Sequence, residues 1–181
     1  MPGKYEVRDR NLMEGCLGLK LPFPKNATGR FMLPLGSADL MLVQMAPDPT
    51  CGTVDSSGLY RGHKGIWTES ISDCVVVVIA ERDDADRRWT NFCFHHMLGG
   101  AMAHTLPGFQ KLNPTRARCW AVVADKSSLI SRTTDPLVDG LVKWGVPRTQ
   151  IGTYKSGGNF TFGFRFEGGY LGEVKPPYVP K

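Results

Sequence analysis

Residues of three types, a cysteine, a histidine pair and a threonine, have a spacing that could support nucleophilic chemistry. Cys74 begins a β-branched run, and His95 and His96 follow it by 21 and 22 residues, at the end of the next apolar stretch. A cysteine attacks a carbonyl carbon as its thiolate, and a nearby imidazole lowers the thiol pKa from its usual value of about 8.5. The pattern therefore indicates a candidate Cys–His pair.

A threonine upstream could complete this pair. Thr68 lies six residues before Cys74, and its hydroxyl could accept the far ring N–H of a histidine and so fix the tautomer. The Cys–His spacing alone fits a core thiol better than a nucleophile, because free cysteines are usually buried and inert. With Thr68 as a third member, the pattern favours a nucleophile over a core thiol, and we hypothesise a triad of cysteine, histidine and threonine.

Two predicted strands would bring these residues together. The segment CVVVVIA, 74–80, is too stiff for a helix and predicts a strand buried on both faces. The segment WTNFCFHHM, 89–97, predicts an aromatic-rich strand, and the short connection favours antiparallel pairing of the two. Because adjacent strand residues point to opposite faces, either His95 or His96 can face Cys74, but not both.

The remaining elements predict an α+β fold, a mainly antiparallel β-sandwich with helices packed on the outside. We expect a strand near 40–45, a loop at 47–58, a short helix within 98–112, a buried strand at 118–124, a helix at 135–144 and strands at 149–154, 159–167 and 170–174. The helix at 135–144 is predicted from an Asp at its N-cap, a Pro in its first turn and a 3.6-residue apolar period.

Length and composition predict one folded domain with irregular ends. A chain of 181 residues with 41% apolar content can close a single core. Proline and glycine content predicts a surface arm at 1–35 and an extended tail at 175–181, with a single domain at 36–174 between them. Neither a membrane span nor a secretory signal is apparent, so we expect synthesis in the cytoplasm.

Charge and cysteine usage exclude several classes of site. The net charge of +5 comes without a Lys/Arg cluster interleaved with aromatics, so no nucleic acid partner is expected. Five cysteines without a CxxC motif predict reduced thiols. Cys93, His95 and His96 could suggest a metal, but strand alternation sends His96 away from the other two. We therefore expect no metal and no cofactor, and we interpret His63 as a loop residue and His104 as a capping or half-buried residue.

The order of these features resembles the chemotaxis receptor glutamine deamidase CheD over roughly residues 64–174. The shared layout is a threonine, a six-residue step to a cysteine, an apolar strand, a short polar turn and a strand ending in histidine, followed by alternating helices and strands. The turn at Gly157, Gly158 and Asn159 and the closing hairpin are similar too. The same Cys/His sandwich occurs in the catalytic domains of cytotoxic necrotizing factor and Burkholderia lethal factor, which deamidate glutamines of host proteins.

The resemblance implies a protein-glutamine deamidase that converts Gln to Glu plus ammonia through a thioester. It assigns Cys74 as nucleophile, His95 as base and Thr68 as the orienting residue, with His96 as the alternative to His95. Asp73 and the missing Leu-Pro after the histidine depart from the chemotaxis enzymes. These departures favour a bacterial effector or toxin that acts on a protein substrate and is delivered by a secretion system without a cleaved signal peptide. The alternatives are a chemotaxis-receptor deamidase and a non-catalytic binding module on the same scaffold.

Overall fold

The computed structural model describes residues 4–5, 27–28, 37–71, 74–83, 88–98, 119–126, 130–156, 160–167, 170–172 and 174. Within this part of the chain the strands are β1 (Lys4–Tyr5), β2 (Ala27–Thr28), β3 (Leu40–Leu42), β4 (Thr50–Thr53), β5 (Gly65–Ile71), β6 (Cys74–Asp83), β7 (Arg88–Leu98), β8 (Cys119–Lys126), β9 (Ile151–Ser156), β10 (Phe160–Arg165) and β11 (Tyr170–Gly172). One α-helix, α1 (Ile130–Trp144), and short 3₁₀ helices at Ser37–Asp39 and Arg148–Gln150 complete the described elements.

The strands form two main sheets and a small two-stranded one. The five-stranded sheet has the order β4-β7-β6-β8-β9, and the four-stranded sheet has the order β11-β10-β5-β3. All neighbours are antiparallel except the pairs β8–β9 and β3–β5. Strands β1 and β2 pair with each other, and β1 contacts β9. The fold is therefore mixed α+β with mostly strands, as expected from the order of elements.

Strand β6 is buried on both faces, which confirms the interpretation of its β-branched run. On one face, Val76 and Val78 belong to an apolar cluster shared with Phe162 and Phe164 of the four-stranded sheet. On the other face, its alternate residues join a second cluster that includes Leu141 of α1. The predicted antiparallel pairing of β6 with β7 is also confirmed. The start of β6 and the end of β7 therefore lie side by side.

Helix α1 packs its apolar stripe against the five-stranded sheet, as the 3.6-residue period predicts. Leu137, Val138 and Leu141 are buried in the cluster on that face of the sheet. The helix begins at Ile130, earlier than predicted, so that Pro136 lies inside it rather than in its first turn. Gly145 follows the last turn with a φ of 119°, a conformation that favours glycine, and its N–H donates to the carbonyl of Leu141.

Two strands of the main sheets were not expected from the sequence. The segment predicted as a loop at 47–58 contains β4, and that prediction is wrong at Thr50–Thr53. Strand β4 is an edge strand that pairs with β7 alone within its sheet, so it needs little apolar content. Strand β5 contains Thr68 and pairs with both β10 and β3.

The prediction that the thiols are reduced is wrong for one pair of cysteines. Cys51 and Cys93 form a disulfide, and they lie directly opposite each other on β4 and β7. Their separation of 42 residues carries no pairing signal, because the strand register, and not the sequence spacing, brings them together. Cys74 is buried and is not part of a disulfide.

Several predictions fall on residues that the structure does not describe. They concern most of the arm at 1–35, nearly all of the helix predicted within 98–112, the turn at Gly157, Gly158 and Asn159, and the tail at 175–181. Over the described part of the chain, no helix has the length and apolar content needed to cross a membrane.

Candidate active site

Thr68 and His96 form a buried hydrogen bond that joins the two main sheets. Thr68 on β5 is 0% exposed and His96 on β7 is 5% exposed. The Thr68 hydroxyl oxygen lies 2.7 Å from Nδ1 of His96, and the hydroxyl donates to the carbonyl oxygen of Val43 at 2.8 Å. A hydroxyl has one hydrogen to donate, so its contact with the ring must use an oxygen lone pair. His96 therefore carries a proton on Nδ1 and donates it to Thr68.

This bond leaves the lone pair of the neutral His96 ring on Nε2. Among the described residues, Nε2 is buried and has no hydrogen-bond partner. Burial lowers the pKa of His96 below its ordinary value of 6.5, and the charge of His95 lowers it further. At neutral pH the ring is therefore uncharged, and Nε2 can accept a proton from a neighbouring group.

The strand register places Cys74 on the same face of the sheet as His96. Cys74 pairs with Leu98 and Val76 pairs with His96, so His96 is the diagonal neighbour of Cys74. Cys74 and Val76 belong to the apolar cluster between the two main sheets. The Cys74 thiol is in a residue that is 8% exposed, and it donates to Sδ of Met45 at 3.5 Å. The structure thus gathers Cys74, His96 and Thr68 on one side of β7.

His95 faces the other side of the sheet. Its Nε2 donates to the carbonyl oxygen of Ala46 at 2.8 Å, on the side where Cys93 and Met97 pack with the helix cluster. Burial lowers the pKa of His95, against the opposing effects of the bond to Ala46 and the charge of Asp48. The sequence analysis preferred His95 as the base, but the structure brings the alternative, His96, to Cys74 and Thr68.

Residues 43–46 form a short segment, here the crossing segment, that runs from β5 to β7 and holds both histidines in place through hydrogen bonds. At one end, the Val43 N–H donates to the carbonyl of Trp67 at 2.9 Å, and the Val43 carbonyl accepts the Thr68 hydroxyl. At the other end, the Ala46 N–H donates to the carbonyl of His96 at 3.1 Å, and the Ala46 carbonyl accepts the His95 ring. Sequence reasoning missed this segment, since a backbone carbonyl can act as an acceptor whatever residue carries it.

A bulge in β5 lies directly after Thr68. On β10 the partners of Thr68 and Ile71 are Phe162 and Phe160, so β5 contains one extra residue between them. Ser70 has a φ of 59° within this irregularity, a conformation that non-glycine residues seldom adopt. The extra residue turns Ile71 into the core on the same side as Thr68. Pairing with β10 resumes at Ile71, where β5 ends three residues before Cys74.

Of His63, His104 and Asp73, which the sequence also brought forward, the structure describes His63. His63 lies in a turn and bridges to Tyr60, as expected for a loop residue. His104 and Asp73 fall outside the described residues. Within the residues that are described, no group of three His, Cys, Asp or Glu side chains is placed to hold a metal ion.

Neither a scan of the sequence against protein-family models nor a search of the curated proteins finds a match. The function of the chain is therefore inferred from the geometry of Cys74, His96 and Thr68.

Thr68→Val tests the orienting bond, since valine keeps the shape and removes the hydroxyl. We expect kcat to fall by about a hundredfold with little change in KM, because the His96 ring is no longer held in one orientation. The free energy of unfolding is expected to fall by about 1–3 kcal/mol, because the Val43 carbonyl and the His96 N–H each lose a partner. Steady-state kinetics and urea unfolding measure the two effects.

Thr68→Ser is the matched control for this substitution. Serine keeps the hydroxyl, so it should recover most of the activity that valine removes. A Thr68→Val protein with unchanged kcat would contradict an orienting role for the hydroxyl.

The two buried histidines should make stability depend on pH. Burial lowers both pKa values below 6.5 in the folded protein, so the unfolded chain takes up protons first as the pH falls. The free energy of unfolding should be at its full value above 6.5 and decrease as the pH falls through the folded pKa values. Urea unfolding between about pH 7.5 and about pH 5 measures this. A double variant, His95→Gln with His96→Gln, should show a flatter profile, and an equally steep one would contradict the assignment.

Proposed function

We propose that this chain is a protein-glutamine deamidase in which Cys74 is the nucleophile, His96 the base and Thr68 the residue that orients the base. One observation supports this most: the Thr68–His96 bond fixes the ring proton on Nδ1 and leaves Nε2 as a buried lone pair on the face of Cys74. A structural histidine in a core more often satisfies both of its nitrogens. A basic nitrogen with a lone pair on the same sheet face as a cysteine is the arrangement that cysteine-dependent acyl transfer needs.

The proposed reaction has two halves. In the first, Nε2 of His96 takes the Cys74 thiol proton, and the thiolate attacks the carboxamide carbon of a glutamine. The imidazolium returns the proton to the departing nitrogen, so ammonia leaves and a thioester forms. In the second, the same Nε2 takes a proton from water, whose oxygen attacks the thioester. The C–S bond breaks, the imidazolium of His96 protonates the Cys74 thiolate again, and the substrate leaves with a glutamate in place of the glutamine.

The arrangement of layers supports a CheD-like or cytotoxic necrotizing factor-like catalytic fold as part of this proposal. An apolar cluster is shared by the two main sheets, and α1 packs on the far face of the five-stranded sheet. We interpret this as a mainly antiparallel β-sandwich with a helix outside, which would hold Thr68 on one sheet against Cys74 and His96 on the other. The four-stranded sheet would then be a working part of the site.

For the substrate, we propose a protein glutamine and an effector or toxin role. The Cys51–Cys93 disulfide supports export, because disulfides persist in oxidising compartments. Delivery by a secretion system into a target cell is consistent with that chemistry. A chemotaxis-receptor deamidase is the alternative within the same reaction class.

A non-catalytic binding module is the second candidate, and the burial of Cys74 favours it. Its thiol is in a residue that is 8% exposed and contacts Met45, as a core cysteine would. Reactivity separates the two candidates. A core thiol should react with iodoacetamide no faster than an ordinary cysteine, whereas a nucleophile paired with His96 should react faster at neutral pH.

Proteome-wide mass spectrometry tests the proposed reaction. The protein is incubated with lysates of candidate target cells, and peptides are searched for glutamine converted to glutamate. Conversion at defined sites that depends on Cys74 would support the proposal. Equal conversion with a Cys74→Ser protein would overturn it.

A further inference from the structure

Met45 lies over the thiol that the proposed reaction needs. Its Sδ accepts the hydrogen of Cys74 Sγ at 3.5 Å. Met45 is 47% exposed whereas Cys74 is 8% exposed. One part of the methionine side chain therefore faces solvent while its sulfur contacts the thiol, so Met45 separates at least part of Cys74 from the solvent.

The backbone on both sides of Met45 is held in place. Val43 is fixed to Trp67 and Ala46 is fixed to His96 by backbone hydrogen bonds of 2.9 and 3.1 Å. Movement of the whole segment would break these bonds and disturb Thr68, which donates to the Val43 carbonyl. Methionine is unbranched and has three rotatable side-chain bonds. Rotation of the Met45 side chain can therefore uncover Cys74 without moving the crossing segment.

We propose that Met45 is the cover residue of the active site: it closes over the Cys74 thiol in the resting protein and rotates away when a glutamine side chain enters. In the closed position the S–H hydrogen is directed to the Met45 sulfur. Rotation of Met45 frees that hydrogen for transfer to Nε2 of His96. This inference rests on the proposed function, because a cover matters only where Cys74 reacts. The contact between Met45 and Cys74 does not depend on which substrate is used.

Alkylation of Cys74 by iodoacetamide, in the full-length protein and without substrate, tests the cover. The rate constant is measured at a pH high enough to ionise the thiol fully, and peptide mapping identifies the labelled cysteine. Met45→Ala should raise this rate by about tenfold, because the covering atoms are removed. Met45→Leu keeps a side chain of similar size and should stay within about twofold of the unsubstituted protein.

Leu42→Ala is the matched control. Leu42 is 42% exposed and lies three residues before Met45. Its chain neighbours Met41 and Val43 pack against the core cluster, so Leu42 points away from it. In the Leu42→Ala protein, Cys74 should be alkylated at the same rate as in the unsubstituted protein. The proposal is overturned if Met45→Ala leaves the rate unchanged, if Met45→Leu raises it as much as alanine does, or if Leu42→Ala raises it equally.

The same alkylation, repeated over a range of pH to find the midpoint of Cys74 ionisation, separates failure of the cover from failure of the proposed function. If Cys74 is activated by His96 and the Met45 variants do not change its access, the cover proposal fails alone. If Cys74 ionises like an ordinary thiol in every variant, the proposed function fails, whatever the alkylation rates show about Met45.

Discussion

Cys74→Ser should lower the rate of glutamine deamidation by about a thousandfold or more, because serine is a far weaker nucleophile in a site arranged for a thiolate. The substitution changes one atom and keeps the volume of the side chain nearly constant. The fold should therefore be retained, and urea unfolding can verify this. The rate is measured as glutamate formed on the target peptide by mass spectrometry.

Cys119→Ser is the control for a general effect of cysteine loss. Cys119 is opposite Glu81 in the register, at the other end of the paired part of β6 from Cys74. Its replacement should leave the deamidation rate within about twofold. A similar loss in both variants would show that Cys74 has no special part in the reaction.

The two histidines should respond differently to the same substitution. We expect His96→Gln to lower kcat by about 100- to 10,000-fold, because it removes the base that takes the thiol proton. His95→Gln should lower kcat by less than about tenfold. Its main effect should be a loss of about 1–3 kcal/mol in the free energy of unfolding, since the Ala46 carbonyl loses the ring N–H. Steady-state kinetics and urea unfolding on both variants measure the contrast.

This comparison is controlled internally, since the two residues are adjacent, both buried and replaced in the same way. The opposite result, with His95→Gln inactive and His96→Gln active, would place the base on the helix-facing side of the sheet. That outcome would contradict the role of Thr68 as well, because Thr68 contacts His96.

A bulge in the pairing of β6 with β7 explains why the sequence predicted that a histidine faces Cys74 but not which of the two histidines does so. The β-branched run of β6 and the short connection predicted an antiparallel pair, and parity required one histidine to face Cys74. Near the connection Arg82 pairs with Trp89, but beyond a register shift Glu81 pairs with Asn91. A regular pair would have matched Val76 with His95 and put His95 on the face of Cys74. The bulge adds one residue to β7 and puts His96 there.

The rest of the site depends on contacts between distant segments. The triad spacing identified Thr68, but its strand pairs with β10 and β3, and its hydroxyl finds a backbone carbonyl 25 residues away. Met45 meets Cys74 from a segment 29 residues earlier in the chain, and strand register brings Cys51 to Cys93. Local composition carries no signal for such contacts, because the tertiary fold selects the partner. The residue types of the site were therefore predictable from the sequence, whereas the contacts between distant segments were not.

Activation of Cys74 by His96 should be visible in the pH dependence of Cys74 alkylation. Rate constants for iodoacetamide are measured from about pH 5 to about pH 10 in the unsubstituted protein and in His96→Gln, with peptide mapping of Cys74. The midpoint is expected well below about 8.5 in the unsubstituted protein, and it should rise towards or above that value in His96→Gln. Midpoints near or above about 8.5 in both proteins would show that Cys74 is an ordinary core thiol and would contradict the proposed chemistry.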